Sequence, residues 1–221
     1  MAVRPRKLTL DVLARLFRAA CDVINDGVSR RSKDTPEVAL LAQHVAAPLP
    51  RLTVVPQGGE RLGGHLPACI EAARNPLDRH LAEAIEAAAP ELKWASPYDS
   101  VDGGPQFEAF KDSYACTLLA GPEGFRSYEP AYLLDATFIA ITLQFPDVFY
   151  PSHSHFAREV YHVIAGQSDW QLGEQWSERE SGDWIFHDHN ARHAMKTADE
   201  PLLTLVTWID GIDDSVITVH N

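Results

Sequence analysis

The sequence predicts a mainly β protein with an α-helical N-terminal extension, and two observations carry this prediction. Residues 9–30 place apolar side chains at helical spacing, as an amphipathic helix does. After Pro90 this spacing gives way to short apolar runs with turns about every ten residues, which is typical of an all-β barrel or sandwich. We therefore expect a helical extension over residues 1–95, packing on the barrel or at a dimer interface, and a β-barrel over residues 96–221.

Capping and turn residues divide the helical part further. The Thr35-Pro36 pair predicts the start of a second helix that reaches about residue 47, and paired glycines make residues 51–65 a loop. Residues 67–89 are rich in alanine. They predict one or two helices, with an interruption near Asn75-Pro76.

Eight strands are predicted in the second part of the chain. Each is a short run of apolar, β-branched or aromatic residues bounded by turn residues. The runs span residues 115–120, 132–134, 138–145, 159–165, 168–172, 183–186, 193–196 and 202–209.

Composition restricts the classes of partner and compartment. With 45% hydrophobic and 23% charged residues, the 221-residue chain is typical of an ordinary globular protein. Its formal net charge of -12 disfavours nucleic acids and anionic membranes as partners. Three separated cysteines without a CxxC pattern argue against a disulfide framework. No stretch suits a signal peptide or a membrane span, so we expect a cytoplasmic protein.

A cluster of histidines supplies the candidate site. On a strand, His153 and His155 point to the same face, and Glu159 shares their parity if the strand stays regular or turns back. A second strand that carries His193 can complete the set. Three imidazoles and one carboxylate suit one divalent transition metal, namely Fe, Zn, Mn, Co or Ni. An isolated HxH pattern is a weak signal, and the added glutamate and histidine strengthen it.

Two segments resemble the two motifs of the cupin superfamily. H-S-H-F-A-R-E-V-Y-H-V-I-A-G is similar to the first motif, and G-D-W-I-F-H-D-H-N-A-R-H is similar to the second. The resemblance implies a single cupin barrel, a double-stranded β-helix or jelly roll, with the metal inside it. Two departures stand out. No clean glycine precedes His153, and Asp188-His189-Asn190 replaces the usual Pro-x-Gly, where Asn190 can support the hairpin at positive φ.

The pattern H-x-H-x-x-x-E-x-Y, with a later histidine and an upstream tyrosine, is more specific. It resembles the bacterial cupin-type dimethylsulfoniopropionate (DMSP) lyases. The helical extension is most similar to the DddL type, with DddQ a near relative. The resemblance is strongest over residues 145–210 and implies that Tyr161 is the catalytic tyrosine and Tyr150 a second pocket tyrosine.

The reaction that this resemblance implies is a β-elimination on a small zwitterion. The metal would bind the substrate carboxylate as a Lewis acid, and Tyr161 as phenolate would remove the neighbouring proton. Dimethyl sulfide would leave, and acrylate would remain. Aromatic faces suit the cationic sulfonium, and the candidates are Tyr150, Phe149, Trp184 and Trp208.

The sequence is also compatible with other functions. Another metal-dependent cupin enzyme, either an iron dioxygenase or an isomerase, would share the ligand set, and a non-enzymatic cupin sensor could use its helices to contact a partner. An apolar N-terminal helix is compatible with a homodimer. His162 has the opposite parity to Tyr161 and is expected to face away from the metal, whereas His187 and His189 are expected near the site or at the surface. His189 is an alternative ligand if the hairpin register differs.

Overall fold

The N-terminal part of the protein is helical. The computed structural model describes residues 7–31, 36–41, 64–96, 98, 104–122, 130–134, 137–212 and 216–220. Helix α1 (Lys7–Arg31) covers the predicted segment, and its apolar stripe, which includes Leu13, Leu16 and Ile24, is fully buried. The prediction of a first helix is therefore confirmed. None of the helices in the described ranges is long and apolar enough to span a membrane.

The next helices follow the capping residues. A 3₁₀ helix (Pro36–Leu40) stands where the second helix was expected to begin, and most of that helix and of the 51–65 loop lie outside the described residues. Helix α2 (Leu66–Ala72) and helix α3 (Pro76–Ala88) are separated by Asn75, whose side chain accepts a hydrogen bond from the backbone N–H of Asp78. The predicted interruption at Asn75-Pro76 is thus confirmed. A short 3₁₀ turn (Ala89–Glu91) ends this part.

Strands dominate the rest of the described chain, after helix α4 (Gly104–Lys111), which the sequence pattern did not predict. All eight predicted runs form strands to within one or two residues. Three strands were missed: a two-residue edge strand, an exposed polar strand and the strand that contains His153. The strands are β1 (Tyr114–Gly121), β2 (Tyr132–Leu133), β3 (Phe138–Gln144), β4 (Phe149–Ser154), β5 (Arg158–Ala165), β6 (Gln167–Leu172), β7 (Gln175–Glu180), β8 (Trp184–His187), β9 (His193–Thr197), β10 (Leu202–Asp210) and β11 (Thr218–Val219).

These strands form two sheets. One has six strands in the order β2-β1-β3-β10-β5-β8, and the other has five in the order β11-β4-β9-β6-β7. Strand β5 is followed by β6 in the opposite sheet, and β8 is followed by β9 across the same gap. This alternation between sheets is the jelly-roll arrangement that we predicted. The fold class is confirmed, although the hydrogen bonding among the described strands does not close into one continuous barrel.

Apolar residues form two cores on the two faces of the six-stranded sheet. The outer core joins α1, α2 and α3 to residues such as Val160 and Ile164 of β5. Helix α1 comes close to the sheet at Gly27, where a Cβ atom would lie only 2.3 Å from the Trp184 ring. The inner core lies between the sheets and contains Tyr150 and Tyr161. The two predicted site tyrosines therefore belong to the inner core.

Candidate metal centre

The four predicted ligands converge between the sheets. Strands β4 and β9 pair with His153 directly opposite His193, and His155 follows the last residue of β4. The chain then turns back, so Glu159 enters from β5 of the opposite sheet. All four side chains are buried, with at most 4% exposed. Of the two alternatives left open for Glu159, the structure has the one in which the chain turns back, so the ligands come from strands of two facing sheets.

Backbone carbonyls determine which imidazole nitrogen is free in each histidine. The Nδ1 atoms of His153, His155 and His193 lie 2.9, 3.0 and 2.9 Å from the carbonyl oxygens of Pro151, Ala157 and Ala191. A carbonyl oxygen can only accept, so each Nδ1 carries the hydrogen in the neutral ring. Each Nε2 then keeps an unprotonated lone pair. Fixing the far nitrogen in this way is how proteins orient metal-binding histidines.

The spacing of the free atoms fits a single ion. Ligand atoms of His153, His155 and His193 lie within 4.8 Å of one another. Glu159 Oε2 lies 3.3 Å from His155 Nε2 and 3.4 Å from His193 Nε2. Two donors bound to one ion at about 2.1 Å are separated by roughly 3.0–3.4 Å. In addition, His193 Nε2 is buried without a hydrogen-bond partner, a deficit that a bound cation would remove. The group is thus capable of binding a metal ion.

Glu159 is held by two neighbours, Trp208 and His187, whose contact with it the sequence pattern did not predict. Trp208 donates from Nε1 to Oε1 at 2.7 Å, and His187 lies with Nδ1 2.8 Å from Oε2. Trp170 donates in turn to His187 Nε2 at 3.0 Å. Strands β5 and β8 pair with Glu159 opposite His187. This pairing brings together two segments that are distant in the sequence. The only sequence signal for it was the alternation of side chains in the second motif.

Burial keeps His153 and His193 uncharged, whereas its neighbours keep the Glu159 carboxylate charged. Desolvation, followed by the other imidazoles, lowers the pKa of His153 to about 3, and the same causes hold the pKa of His193 well below its ordinary value. Burial opposes ionisation of Glu159. Its contacts with His155, His187 and His193 outweigh this cost and hold its pKa well below the usual range. The site therefore offers lone pairs and one anionic oxygen near neutral pH.

The two predicted tyrosines lie in the same inner core. Tyr161 packs against Trp170 and against the His187 ring, with centroids 4.8 and 5.5 Å apart. Tyr150 stacks on His153 at 4.1 Å and 11°, and its hydroxyl hydrogen-bonds to the hydroxyl of Tyr98. Burial, and then the charge of Glu159, raises the pKa of Tyr161 well above 10. The pKa of Tyr150 is raised as well, chiefly by burial.

The other aromatic residues that were predicted to contact the sulfonium lie on different faces of the sheets. Trp208 is inside, 4.5 Å from the His155 ring. Phe149 and Trp184 were wrong candidates for the sulfonium contact, because strand alternation turns both outward. Phe149 is 37% exposed, and Trp184 packs against the His162 ring, with centroids 4.4 Å apart, beneath the helices.

The remaining histidines also have defined places. His162 faces away from the metal group, as expected, and bonds to Asp78. His189 is outside the ligand cluster: its ring stacks on Phe156, and its Nδ1 contacts the Phe156 carbonyl. It is therefore not a substitute ligand. Asn190 has φ of 56°, as the hairpin departure predicted.

Fold and site together define a cupin with a buried three-histidine, one-glutamate cluster. A family model described as DMSP lyase matches residues 37–204, which is most of the chain. The chain therefore belongs to the DMSP lyase family. The closer likeness to the DddL type stays a prediction.

Known relatives agree with this assignment. The chain is 26% identical over 141 residues to the DMSP lyase DddQ of Ruegeria pomeroyi, an alignment that spans 63% of this chain and 66% of that protein. A chain from the crystal structures of the DMSP lyases RdDddP and RnDddQII superposes with a TM-score of 0.76 at 25% identity, covering 96% of this chain and all of that one. The crystal structure of DddQ from Ruegeria pomeroyi shares the fold with a TM-score of 0.61 at 22% identity, covering 90% and 95%.

Proposed function

We propose that this protein is a metal-dependent lyase that cleaves DMSP to dimethyl sulfide and acrylate by a tyrosine-promoted β-elimination. Membership of the DMSP lyase family supports the substrate and the class of reaction. The single observation that carries the mechanism is the convergence of three unprotonated Nε2 atoms and the Glu159 carboxylate in the core that also contains Tyr161.

His153, His155, Glu159 and His193 would hold one divalent transition metal. When bound, such an ion supplies a Lewis acid that makes the C–H bond next to a coordinated carboxylate more acidic. The four residues present a mixed nitrogen and oxygen donor set, which accepts Fe, Zn, Mn, Co or Ni. Because their far nitrogens are fixed by the backbone, they need little rearrangement to bind.

Tyr161 would act as the general base. In the metal-free protein, burial and the Glu159 charge keep its hydroxyl protonated, so the phenolate requires a positive charge close by. As phenolate, Tyr161 takes the proton from the carbon next to the substrate carboxylate. The electron pair of that C–H bond becomes the carbon–carbon double bond of acrylate. The pair of the C–S bond leaves with sulfur, so the cationic sulfonium departs as neutral dimethyl sulfide.

Aromatic rings enclose this chemistry. Tyr150 is sandwiched between His153 and Phe110, with centroids 4.1 and 4.0 Å away, and Trp208 covers His155. Ring faces attract a sulfonium by cation–π interaction, worth roughly 0.5–2 kcal/mol for each good contact. Both faces of Tyr150 are already covered, so we propose that this second catalytic-pocket tyrosine acts through its hydroxyl, which burial keeps protonated, and not through its ring face.

The helical part would act as a support for the barrel. We propose a division into a helical extension over residues 1–95 and the cupin barrel over residues 96–221. The outer core and the buried contact between Asp78 and His162 join the two parts and favour the supporting role of the helices. A cytoplasmic location is a further proposal, which the cysteine pattern favours. The homodimer stays a prediction from the sequence, because the apolar stripe of α1 is buried in the protein's own outer core.

Replacing Tyr161 by phenylalanine tests the proposed mechanism. Tyr161→Phe removes one hydroxyl and keeps the ring, so metal content and melting temperature should match the wild type. We expect kcat to fall by roughly 10²–10⁴-fold, the usual contribution of a positioned base. Headspace chromatography of dimethyl sulfide measures the rate.

Tyr132→Phe is the matched control, because Tyr132 packs against Phe17 in the outer core. It should keep the wild-type rate. A Tyr161→Phe variant that turns over DMSP as fast as this control contradicts the role of Tyr161. Oxygen consumption during turnover would instead favour an iron dioxygenase.

A further inference from the structure

We propose that His187, held by Trp170, is a positioning residue that aims Glu159 Oε2 at the metal and is not itself a ligand. The inference rests on the metal site proposed above and adds residues outside its ligand set. It concerns two consecutive hydrogen bonds, which join Trp170 of the five-stranded sheet to His187 of β8 and His187 to Glu159 of β5.

The direction of each hydrogen bond in this chain follows by elimination. The indole Nε1–H of Trp170 can only donate, so His187 Nε2, 3.0 Å away, must accept. The neutral imidazole then carries its hydrogen on Nδ1. That hydrogen points to Glu159 Oε2 at 2.8 Å, and the carboxylate accepts it. Trp170 thereby selects the tautomer of His187 that can bond to Glu159.

The same geometry argues against His187 as a ligand. Glu159, His187 and His193 lie within the distance range of a three-ligand group, and the His187 ring stacks on the His193 ring at 3.9 Å. Proximity alone therefore leaves His187 as a competitor for the ion. Both of its nitrogens are already engaged, however, one by the Trp170 N–H and one as a donor to Glu159. No lone pair remains for a metal.

The consequence for Glu159 is a fixed carboxylate plane. Trp208 donates to Oε1 at 2.7 Å while His187 donates to Oε2, so rotation about the last side-chain torsion would break both bonds. Oε2 keeps its second lone pair on the side of His155 and His193. Partners of this kind typically change metal affinity or activity by about 10–100-fold when they are removed.

Two substitutions at His187 distinguish a role in hydrogen bonding to Glu159 from a role in packing. The amide nitrogen of asparagine falls near the place of Nδ1, whereas that of glutamine falls near the place of Nε2. His187→Asn therefore keeps a donor for Glu159, and His187→Gln moves it away. Zn²⁺ affinity is measured by competition with a chelating dye, Co²⁺ coordination by its visible absorption spectrum, and folding by the melting temperature of the metal-free variants.

We expect His187→Gln to bind Zn²⁺ about 10–100-fold more weakly than the wild type. His187→Asn should stay within about threefold of it, and both should keep the wild-type Co²⁺ spectrum at saturation. Trp170→Phe should weaken binding less than His187→Gln does, because the carboxylate still favours the donor tautomer.

Two results would overturn the inference while leaving the metal site intact. Wild-type affinity in a folded His187→Gln variant would refute positioning. A changed Co²⁺ coordination spectrum in both His187 variants would make His187 a ligand. A wild-type protein that binds neither Zn²⁺ nor Co²⁺ is a different failure, because it removes the proposed metal site and the inference together.

Discussion

Asp78→Ala tests how the helices are joined to the sheet that carries Glu159 and Tyr161. Asp78 of α3 accepts a hydrogen bond from His162 Nε2 at 2.6 Å, and the two side chains are only 2% and 5% exposed. Removing one partner of such a buried hydrogen bond typically costs about 1–3 kcal/mol, because the other partner is left buried and unsatisfied. His162 Nδ1 already lacks a partner, so the variant would bury an imidazole with no hydrogen bond at all.

Urea unfolding followed by far-ultraviolet circular dichroism measures the loss. A domain is stable by about 5–15 kcal/mol in total, so a loss of about 1–3 kcal/mol shifts the midpoint measurably. Asp26→Ala is the matched control, because Asp26 pairs with Arg30 on α1 while their side chains are 39% and 76% exposed. Solvent screens that pair, and its loss should cost less than about 1 kcal/mol.

A double-mutant cycle with His162→Ala then isolates the pair itself. The coupling energy should exceed about 1 kcal/mol. If Asp78→Ala loses no more stability than Asp26→Ala, the buried contact does not anchor the helices, and the account of the outer face is wrong.

Three further predictions concern backbone strain, acid stability and thiol reactivity. Gly166→Ala should lower the free energy of unfolding by more than about 2 kcal/mol in urea titrations, because φ is +88° and the added Cβ would lie 2.1 Å from a backbone oxygen. Gly173→Ala is the control. Its φ is +60° but the space around it is open, so it should cost only about 1–2 kcal/mol. The pKa of His153 is about 3 when folded, so the unfolded chain binds an extra proton between about pH 6.5 and 3. The melting temperature of chelator-treated protein should therefore fall as pH drops through that window, and a rise would contradict it. Burial raises the pKa of Cys69 to about 12, so peptide mass spectrometry should find it unalkylated by iodoacetamide at pH 8 until the protein is unfolded.

Much of the ligand set could be predicted from the chain because strand parity is a local property. His153 and His155 are two residues apart, which places both on one face whatever sheet the strand joins. The return of the chain at residues 155–157 is equally local, since Glu159 keeps the inward parity after it. The predicted positive φ of Asn190 follows from a turn of three residues.

The parts that could not be predicted depend on long-range register. His187 meets Glu159 only because β5 pairs with β8, and Trp170 reaches His187 from the other sheet. Helix α4 was missed because its Gly-Pro start and short length look like a turn. Strand β7 was missed because it is polar and largely exposed at a sheet edge, so it lacks the apolar alternation on which strand prediction depends.

The central claim is that a metal held by three imidazoles and Glu159 lets a buried tyrosine start an elimination from DMSP. Metal-loaded protein and DMSP are mixed without oxygen, and the products are followed by proton magnetic resonance. We predict one acrylate for each dimethyl sulfide, complete loss of turnover after chelation, and recovery when a divalent transition metal is restored. Turnover that persists in chelated protein, or no acrylate with any of the five metals, would contradict the claim.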